Sequence, residues 1–121
     1  MRFLCLYKPA DRTAAESGAP PSPENMAAMG SFMEEMAKAG VLLAAEGLHP
    51  SAQGARIRLR GGQFTMANGP FPEQKELITG YAVIQTTTKD EAIALTRRFL
   101  AVAGDGESEI RQLYEPADLA P

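Results

Sequence analysis

The sequence predicts an α+β fold of the ferredoxin-like kind, a sandwich of an antiparallel sheet with two helices on one of its faces. Short apolar runs typical of strands alternate with two amphipathic helical patterns, in the order strand–helix–strand, hairpin, strand–helix–strand. A chain of 121 residues has the length of one ordinary domain, and neither an internal repeat nor a low-complexity tract divides it. We therefore expect a single domain over residues 1–121.

The composition excludes several classes of protein. Hydrophobic residues make up 45% of the chain and charged residues 22%, which is typical of a globular domain. Fifteen acidic and twelve basic residues give a net charge of −3, so we expect no direct binding of nucleic acid. One cysteine and one histidine cannot supply the usual soft ligand sets, so no metal and no cofactor are expected. Without an apolar run near the roughly 20 residues of a membrane span, and without a signal-peptide pattern, we expect a cytoplasmic protein.

The first third of the chain predicts a strand, a long connection and a helix. Residues 2–7 are an apolar run too short for a helix and bounded by Pro9, so they indicate a buried strand. Residues 8–22 are rich in Pro, Ser, Gly and Ala without periodicity, which predicts a mobile loop and the best lid candidate in the chain. Ser22 then caps a helix that ends at Gly40.

Methionines mark one face of this predicted helix. The residues recur at spacings of three and four, namely Met26, Met29, Met33 and Met36. Such a stripe has two interpretations, a promiscuous binding groove or plain core. We favour core, because methionine is flexible enough to fill irregular gaps.

A second strand at 41–46 is followed by a hairpin whose register can be checked from the sequence. A two-residue turn at Gly61-Gly62 places Leu59 opposite Phe64 and Ile57 opposite Met66, all on one face. The opposite face carries Arg56, Arg58 and Arg60. This basic strip could hold an anion or an acidic partner, but a solvated outer face is the favoured interpretation.

The last third repeats the strand–helix–strand order. Residues 81–86 are apolar on both faces, as in a central strand, and Thr88-x-x-Glu91 is a capping box for a helix that ends at Gly104. Residues 109–114 form the last predicted strand and 115–121 a tail. Both helices then cover one face of the sheet and leave the other bare. A second copy of so small a chain is the expected cover, so a homodimer is predicted.

One segment resembles a known family signature. The stretch Asn68-Gly69-Pro70-Phe71-Pro72-Glu73-Gln74-Lys75-Glu76-Leu77-Ile78-Thr79-Gly80-Tyr81 is similar to that of YCII-related, or DGPF-domain, proteins, which read D-G-P-F-A-E-x-K-E-L-I-x-G-[FYW]. Further similar stretches, such as Glu46-Gly47-Leu48-His49-Pro50-Ser51, extend the resemblance over nearly the whole chain. The resemblance implies a ferredoxin-like fold of the dimeric α/β-barrel group.

Two positions depart from that signature, with Asn68 in place of aspartate and Pro72 in place of alanine. An amide does not titrate, so Asn68 cannot replace an acid–base aspartate, whereas it can hold a turn equally well. We favour the turn-holding role, because the Gly-Pro-Phe-Pro sequence that follows demands a fixed turn. The family resemblance implies function only loosely, since relatives include a dehydrochlorinase and proteins linked to sigma factors.

Few side chains have the chemistry of a catalytic site. His49 titrates near neutrality and follows a strand, so it is the candidate general base, oriented by Glu46 or Glu73. A local hydrogen-bonding role in a loop is the alternative for His49. Glu73 is the second candidate catalytic residue and, with Lys75, a polar anchor, although exposed pairs of this kind contribute little energy.

The remaining candidates are ligand-binding residues: Asn68, Phe71 and Lys75 in the signature segment, and Tyr81 as a pocket wall. Core packing is the alternative for Tyr81. Cys5 is interpreted as an inert residue in a buried strand.

Two functions follow as hypotheses. The first is a dimer that binds, and could act on, a small organic molecule in a pocket near the Asn68–Phe71 loop. The alternative is a non-enzymatic interaction or regulatory module, linked to transcription through a protein partner. A cavity on which His49, Glu73 and Tyr81 converge would favour the first.

Overall fold

The computed structural model describes residues 1–71 and 77–120 and confirms the predicted α+β architecture. Four antiparallel strands form the main sheet in the order β2-β5-β1-β6, and two further strands form a separate hairpin. In chain order the elements are β1 (Arg2–Pro9), α1 (Arg12–Glu16), α2 (Pro23–Lys38), β2 (Leu42–Gly47), β3 (Ala55–Arg60), β4 (Gln63–Asn68), β5 (Gly80–Gln85), α3 (Lys89–Ala103), β6 (Gly106–Gln112) and α4 (Pro116–Leu119). This is the ferredoxin-like strand order with a hairpin inserted between β2 and β5.

The core lies between the sheet and the two long helices, α2 and α3. Phe3 of β1, Ile84 of β5 and Ala92 of α3 are buried together, and Cys5 and Ile110 pack against this cluster. Phe3 and Ile84 lie opposite each other in the register of the two central strands. Met36 of α2 and Leu95 of α3 both lie beside Cys5 and Ile84, which places both helices on the same face of the sheet.

Side chains predicted from the sequence cap both long helices. The Ser22 hydroxyl accepts a hydrogen bond from the Asn25 amide at 3.1 Å, and the Thr88 hydroxyl accepts one from the Glu91 amide at 3.2 Å. These caps satisfy amides that have no partner within the first helical turn.

Two segments predicted as irregular contain short helices. Residues 8–22 hold the five-residue α1, which is capped by the Asp11 carboxylate on the Ala14 amide at 3.0 Å. The predicted tail holds α4, and Arg2 ties it to the sheet through an ion pair with Glu115 at 2.8 Å. Helices of one turn are too short to leave a periodic apolar pattern, which is why the sequence does not indicate them.

The hairpin of β3 and β4, residues 55–68, projects as an arm. Its register is the predicted one, with Leu59 opposite Phe64 and Ile57 opposite Met66. Within this hairpin arm only Arg56 is partly buried, and it lies over the Phe71 ring at 4.0 Å. The apolar face of the arm therefore points into solvent.

One face of the main sheet is covered by neither α2 nor α3. Because Phe3 and Cys5 contact the helical side, the alternation of a strand places Leu4, Leu6 and Lys8 on the other side, here called the bare face. Lys8 forms ion pairs there with Glu107 at 3.4 Å and Glu109 at 2.9 Å. No helix among the described residues is long and apolar enough to cross a membrane.

Candidate functional site

A cavity of about 560 Å³ lies between the main sheet and helices α2 and α3. Its walls are mainly apolar, with large side chains contributed by Met29, Phe32, Met33 and Met36 of α2 and by Leu95 and Phe99 of α3. The inner end reaches the buried core at Ile84, and Pro21, Asn25 and Gly47 border the open end, where all three are exposed. The volume and the lining are those of a small-molecule site.

Small side chains on the sheet leave room for this cavity. Ala45, Ala82 and Cys5 lie opposite one another across β2, β5 and β1, so they form a row beneath the helices. Large residues at these three positions would fill the space that α2 and α3 enclose. The cavity is thus a consequence of sheet register as much as of helix composition.

All four residues of the methionine stripe line this cavity. Met36 is buried in the core, as the favoured interpretation predicts, whereas Met26 is exposed at the open end. The alternative interpretation, a binding groove, stays a prediction. Flexible thioethers can adapt to a bound apolar molecule and make favourable contacts with aromatic rings.

Polar groups gather at the β1–β6 side of the cavity. Tyr7 and Ser108 lie opposite each other in the register, and both line the cavity. The Tyr7 hydroxyl donates to the Gly104 and Asp105 carbonyls, each at 3.3 Å. The Ser108 hydroxyl oxygen is buried and makes no hydrogen bond within residues 1–71 and 77–120. Rotation of this side chain toward the cavity would let the hydroxyl bind a polar atom of a ligand.

Two ionisable groups that line the cavity, Cys5 and Tyr7, have raised pKa values. Burial raises the pKa of the Cys5 thiol, and a hydrogen bond with Thr96 opposes that effect without cancelling it. Burial also raises the pKa of Tyr7, and the nearby negative charge of Asp105 adds to the shift. Cys5 and Tyr7 are therefore hydrogen-bonding groups rather than anionic nucleophiles.

We predict that Cys5 reacts slowly with iodoacetamide. The thiolate is the reactive form, and the raised pKa lowers its fraction at mildly alkaline pH. Alkylation followed by mass spectrometry should be slower for the folded chain than for the chain in urea at the same pH. Equal rates would contradict the buried position of Cys5.

The same shift predicts a loss of stability at alkaline pH. Folding favours the protonated thiol, so the contribution of Cys5 is complete below the ordinary pKa of 9.0 and is lost as pH rises through the higher folded-state value. Urea unfolding followed across that range should show the decrease, and Cys5→Ser, which does not titrate there, should show a smaller one.

Among the candidate catalytic and ligand-binding residues predicted from the sequence, Tyr81 borders the cavity. Tyr81, at the start of β5, lies beside it, as does Glu46 of β2. His49 and Asn68 are exposed and do not line it. Glu73 and Lys75 lie outside the described residues. The described structure therefore does not bring the candidate catalytic set together at this cavity, and the roles of these residues stay predictions.

Phe71 belongs to a second cluster, in which three segments of the chain meet. The Glu16 carboxylate at the end of α1 accepts from the Ser51 amide at 3.3 Å and from its hydroxyl at 2.8 Å. The Ser51 hydroxyl in turn accepts from the Phe71 amide at 3.0 Å, and Gly69 donates to the Gly54 carbonyl at 2.9 Å. We call this cluster the junction, because it joins α1, the turn at Ser51–Gln53 and the Asn68–Phe71 loop.

The junction corrects the preferred role of Asn68. Within the described residues the Asn68 side chain makes no hydrogen bond, and the loop is held by Gly69 and by Ser51 instead. The predicted turn-holding hydrogen bond of the Asn68 side chain is therefore absent from the described residues. The reason is geometric, since backbone groups of Gly69 and Gly54 already satisfy the turn.

The fold and the cavity define a small ferredoxin-like α+β protein with a ligand-sized cleft beneath its helices. The chain belongs to the YCII-related family, since the family profile of the YCII-related domain matches residues 1–115. It is 33% identical over 85 residues to an uncharacterised protein, R00369, of Rhizobium meliloti (strain 1021), with 68% of each chain covered.

A solved structure shares the fold. It is the 5-chloro-2-hydroxyhydroquinone dehydrochlorinase TftG from Burkholderia phenoliruptrix AC1100, in complex with 2,5-dihydroxybenzoquinone. The TM-score is 0.54, the sequence identity is 12%, and 97% of each chain is covered. At this identity the comparison shows the common fold alone.

Proposed function

We propose that this chain binds a small cyclic organic molecule in the cavity beneath α2 and α3. The observation that carries the proposal is the pairing of an apolar chamber of about 560 Å³ with a buried Ser108 hydroxyl that has no partner within the described residues. A mainly apolar pocket with one or two well-placed polar groups is the usual design of a small-molecule site.

The lining supports a ligand with one or two rings and a hydroxyl or carbonyl substituent. Phe32, Phe99 and the thioethers of Met29 and Met33 offer apolar, polarisable contacts to a ring. Ser108 at the β1–β6 side can donate to a ligand carbonyl or accept from a ligand hydroxyl. A cyclic ligand in the TftG complex, 2,5-dihydroxybenzoquinone, supports the same chemical class.

The proposed activity of this cavity is ligand binding, and turnover would require a catalytic base in addition. Neutral Cys5 and Tyr7 can orient a ligand but are poor bases at neutral pH. A catalytic base would have to come from the predicted residues His49 or Glu73. The alternative of a regulatory module stays a prediction, and the feature that supports it is the exposed hairpin arm.

Residues 8 and 9 of the predicted loop at 8–22 belong to β1, and the remainder, residues 10–22, is proposed as the lid of this cavity. The segment is fixed at Glu16 by the junction and runs on to Pro21 at the open end. The Asn68–Phe71 loop is therefore linked to the lid through Ser51, and it does not line the cavity itself. This arrangement supports a role for the Asn68–Phe71 loop in positioning the lid.

Calorimetric titration with 2,5-dihydroxybenzoquinone tests the proposed site. We expect binding by the wild type and about two- to tenfold weaker binding by Ser108→Ala, because loss of one ligand hydrogen bond typically costs about 0.5–1.5 kcal/mol. Ser31→Ala on the exposed side of α2 is the matched control and should bind like the wild type.

A cavity-filling variant completes the test. Ala82→Ile places three more carbons in the floor of the cavity, so it should abolish binding while raising the free energy of unfolding by about 1 kcal/mol. Undiminished binding by Ala82→Ile and Ser108→Ala would contradict the proposed site.

A further inference from the structure

Arg12 of the lid has a buried hydrogen-bond donor without an acceptor. Its side-chain Nε is shielded from solvent and makes no hydrogen bond, and its guanidinium forms no ion pair within residues 1–71 and 77–120. A buried N–H group without a partner is rare in folded proteins, because its lost hydration is not replaced. Charged groups that leave water are normally paired, so a partly buried guanidinium adds to this need. The position therefore calls for an acceptor from outside the described residues.

The inner side of α1 carries Arg12. Arg12, Ala15 and Glu16 are partly buried, at a helical spacing of three and four residues, whereas Thr13 between them is exposed. The Glu16 carboxylate is fixed by the Ser51 hydroxyl at 2.8 Å. Because Arg12 lies one helical turn before Glu16, this hydrogen bond also holds Arg12 against the body of the protein.

A shared carbonyl places Arg12 near the polar side of the cavity. The Asp105 carbonyl accepts from the Tyr7 hydroxyl and from the Ala10 amide, at 3.3 Å and 3.1 Å. Tyr7 lines the cavity opposite Ser108. Arg12 follows Ala10 by two residues, which span at most about 7 Å. An extended arginine side chain can bridge that distance, so the guanidinium lies within reach of this side of the cavity.

The lid supplies the cation that the cavity wall lacks. Among the described residues that line the cavity, Glu46 alone carries a charge. Its side chain belongs to the bare face, because Glu46 lies opposite Tyr81, which in turn lies opposite Leu6. Arg12 is the one basic residue of the lid, residues 10–22. A negatively charged group on a ligand would therefore find its counter-charge in Arg12.

We propose that Arg12 binds an anionic oxygen of the ligand in the cavity, either a ring carboxylate or an ionised ring hydroxyl. This role rests on the function proposed above, and it narrows the ligand to a cyclic molecule with an acidic substituent. The Nε–H group and the neighbouring Nη–H group of an arginine form a planar pair of donors that fits such oxygens. Binding would satisfy the buried donor and would link the lid to the sheet through the ligand.

Calorimetric titration with two related quinones tests the role of Arg12. 2,5-Dihydroxybenzoquinone is a vinylogous acid and is ionised at neutral pH, whereas 2,5-dimethoxybenzoquinone has the same ring without an acidic proton. Arg12→Gln should weaken binding of the dihydroxy compound about ten- to hundredfold, as expected for a lost hydrogen bond to a charged group. Binding of the dimethoxy compound should stay within about twofold of the wild-type value. Arg12→Lys keeps the charge without the planar pair of donors and should give an intermediate loss.

A second pair of compounds distinguishes the two kinds of anionic oxygen. 2,5-Dihydroxybenzoate carries its charge on a carboxylate, and its methyl ester is the uncharged counterpart. The pair for which Arg12→Gln has the larger effect identifies the oxygen that Arg12 prefers. Arg97→Gln on the exposed side of α3 is the matched control and should bind every compound like the wild type. Circular dichroism checks that each variant keeps the wild-type fold.

The possible results separate the role of Arg12 from the proposed function. A wild-type chain that binds none of the four compounds would overturn the proposed function and the role of Arg12 with it. Binding of the uncharged compounds alone, unchanged binding of the charged compounds by Arg12→Gln, or an equal loss for both members of each pair would overturn the role of Arg12 alone. A loss confined to a charged compound supports it.

Discussion

Gly69→Ala should destabilise the protein by about 3 kcal/mol or more, which places it among the most damaging single changes in the chain. An added Cβ at Gly69 would overlap the carbonyl oxygen of Ser51, a backbone atom that cannot rotate away. Relief would require the Asn68–Phe71 loop to separate from the turn at Ser51–Gln53. The hydrogen bonds that join Ser51 to Glu16 and to Phe71 would then be strained or lost.

Chemical denaturation and hydrogen exchange check this prediction. Gly30→Ala on α2 is the matched control, because a Cβ added at Gly30 would meet no neighbouring atom within 4 Å. A glycine-to-alanine change within a helix should raise the free energy of unfolding by about 0.5–1 kcal/mol. Amide exchange in α1 should become faster in Gly69→Ala than in the wild type. If the two alanine variants unfold at the same denaturant concentration, the junction does not have the close packing described above.

Phe3→Ala should cost about 3–5 kcal/mol. Phe3 is the largest fully buried side chain among the described residues and lies at the centre of the core with Ile84 and Ala92. Truncation would remove its transfer free energy and leave a void between the sheet and α3, beside Ile84 and Ala92.

An exposed aromatic residue provides the comparison for Phe3. Tyr114 is 75% exposed, so Tyr114→Ala should change the free energy of unfolding by no more than about 0.5 kcal/mol. Thermal and urea unfolding of both variants give the two values. A loss below about 1 kcal/mol for Phe3→Ala would mean that the core lies elsewhere.

The main elements of the fold could be predicted from the sequence because local signals and the apolar pattern agree. Ser22 and Thr88 are good caps, and both cap their helices. Gly61-Gly62 forces a two-residue turn, which fixes the register of the hairpin. Helix α1 of the lid segment could not be predicted in the same way. It is little longer than one turn, and its one local signal is the capping residue Asp11.

The cavity could not be predicted, because it depends on distances between elements. Ala45, Ala82 and Cys5 are ordinary small strand residues in the sequence, and only the register of three strands places them in one row. Ser108 likewise joins Tyr7 only through the β1–β6 pairing. A cysteine and a tyrosine two residues apart in a buried strand are the available signal, since such residues share a face.

The signature loop shows a different limit of the sequence. The residues that it shares with the family signature predict a binding site near Asn68 and Phe71, whereas the described part of the loop packs on Ser51. A motif residue can be required because two backbone segments approach each other closely, and not only because its side chain takes part in binding or catalysis. Gly69 is such a position here, because its lack of a side chain lets the loop reach the Ser51 turn.

Methyl NMR with ¹³C-labelled methionine tests the central claim most directly. The chain has six methionines; Met26, Met29, Met33 and Met36 line the cavity, whereas Met1 and Met66 lie outside it. Titration with 2,5-dihydroxybenzoquinone should shift the cavity methyl signals and leave those of Met1 and Met66 in place. Unchanged cavity signals, or shifts confined to Met66 on the hairpin arm, would contradict a ligand site beneath α2 and α3.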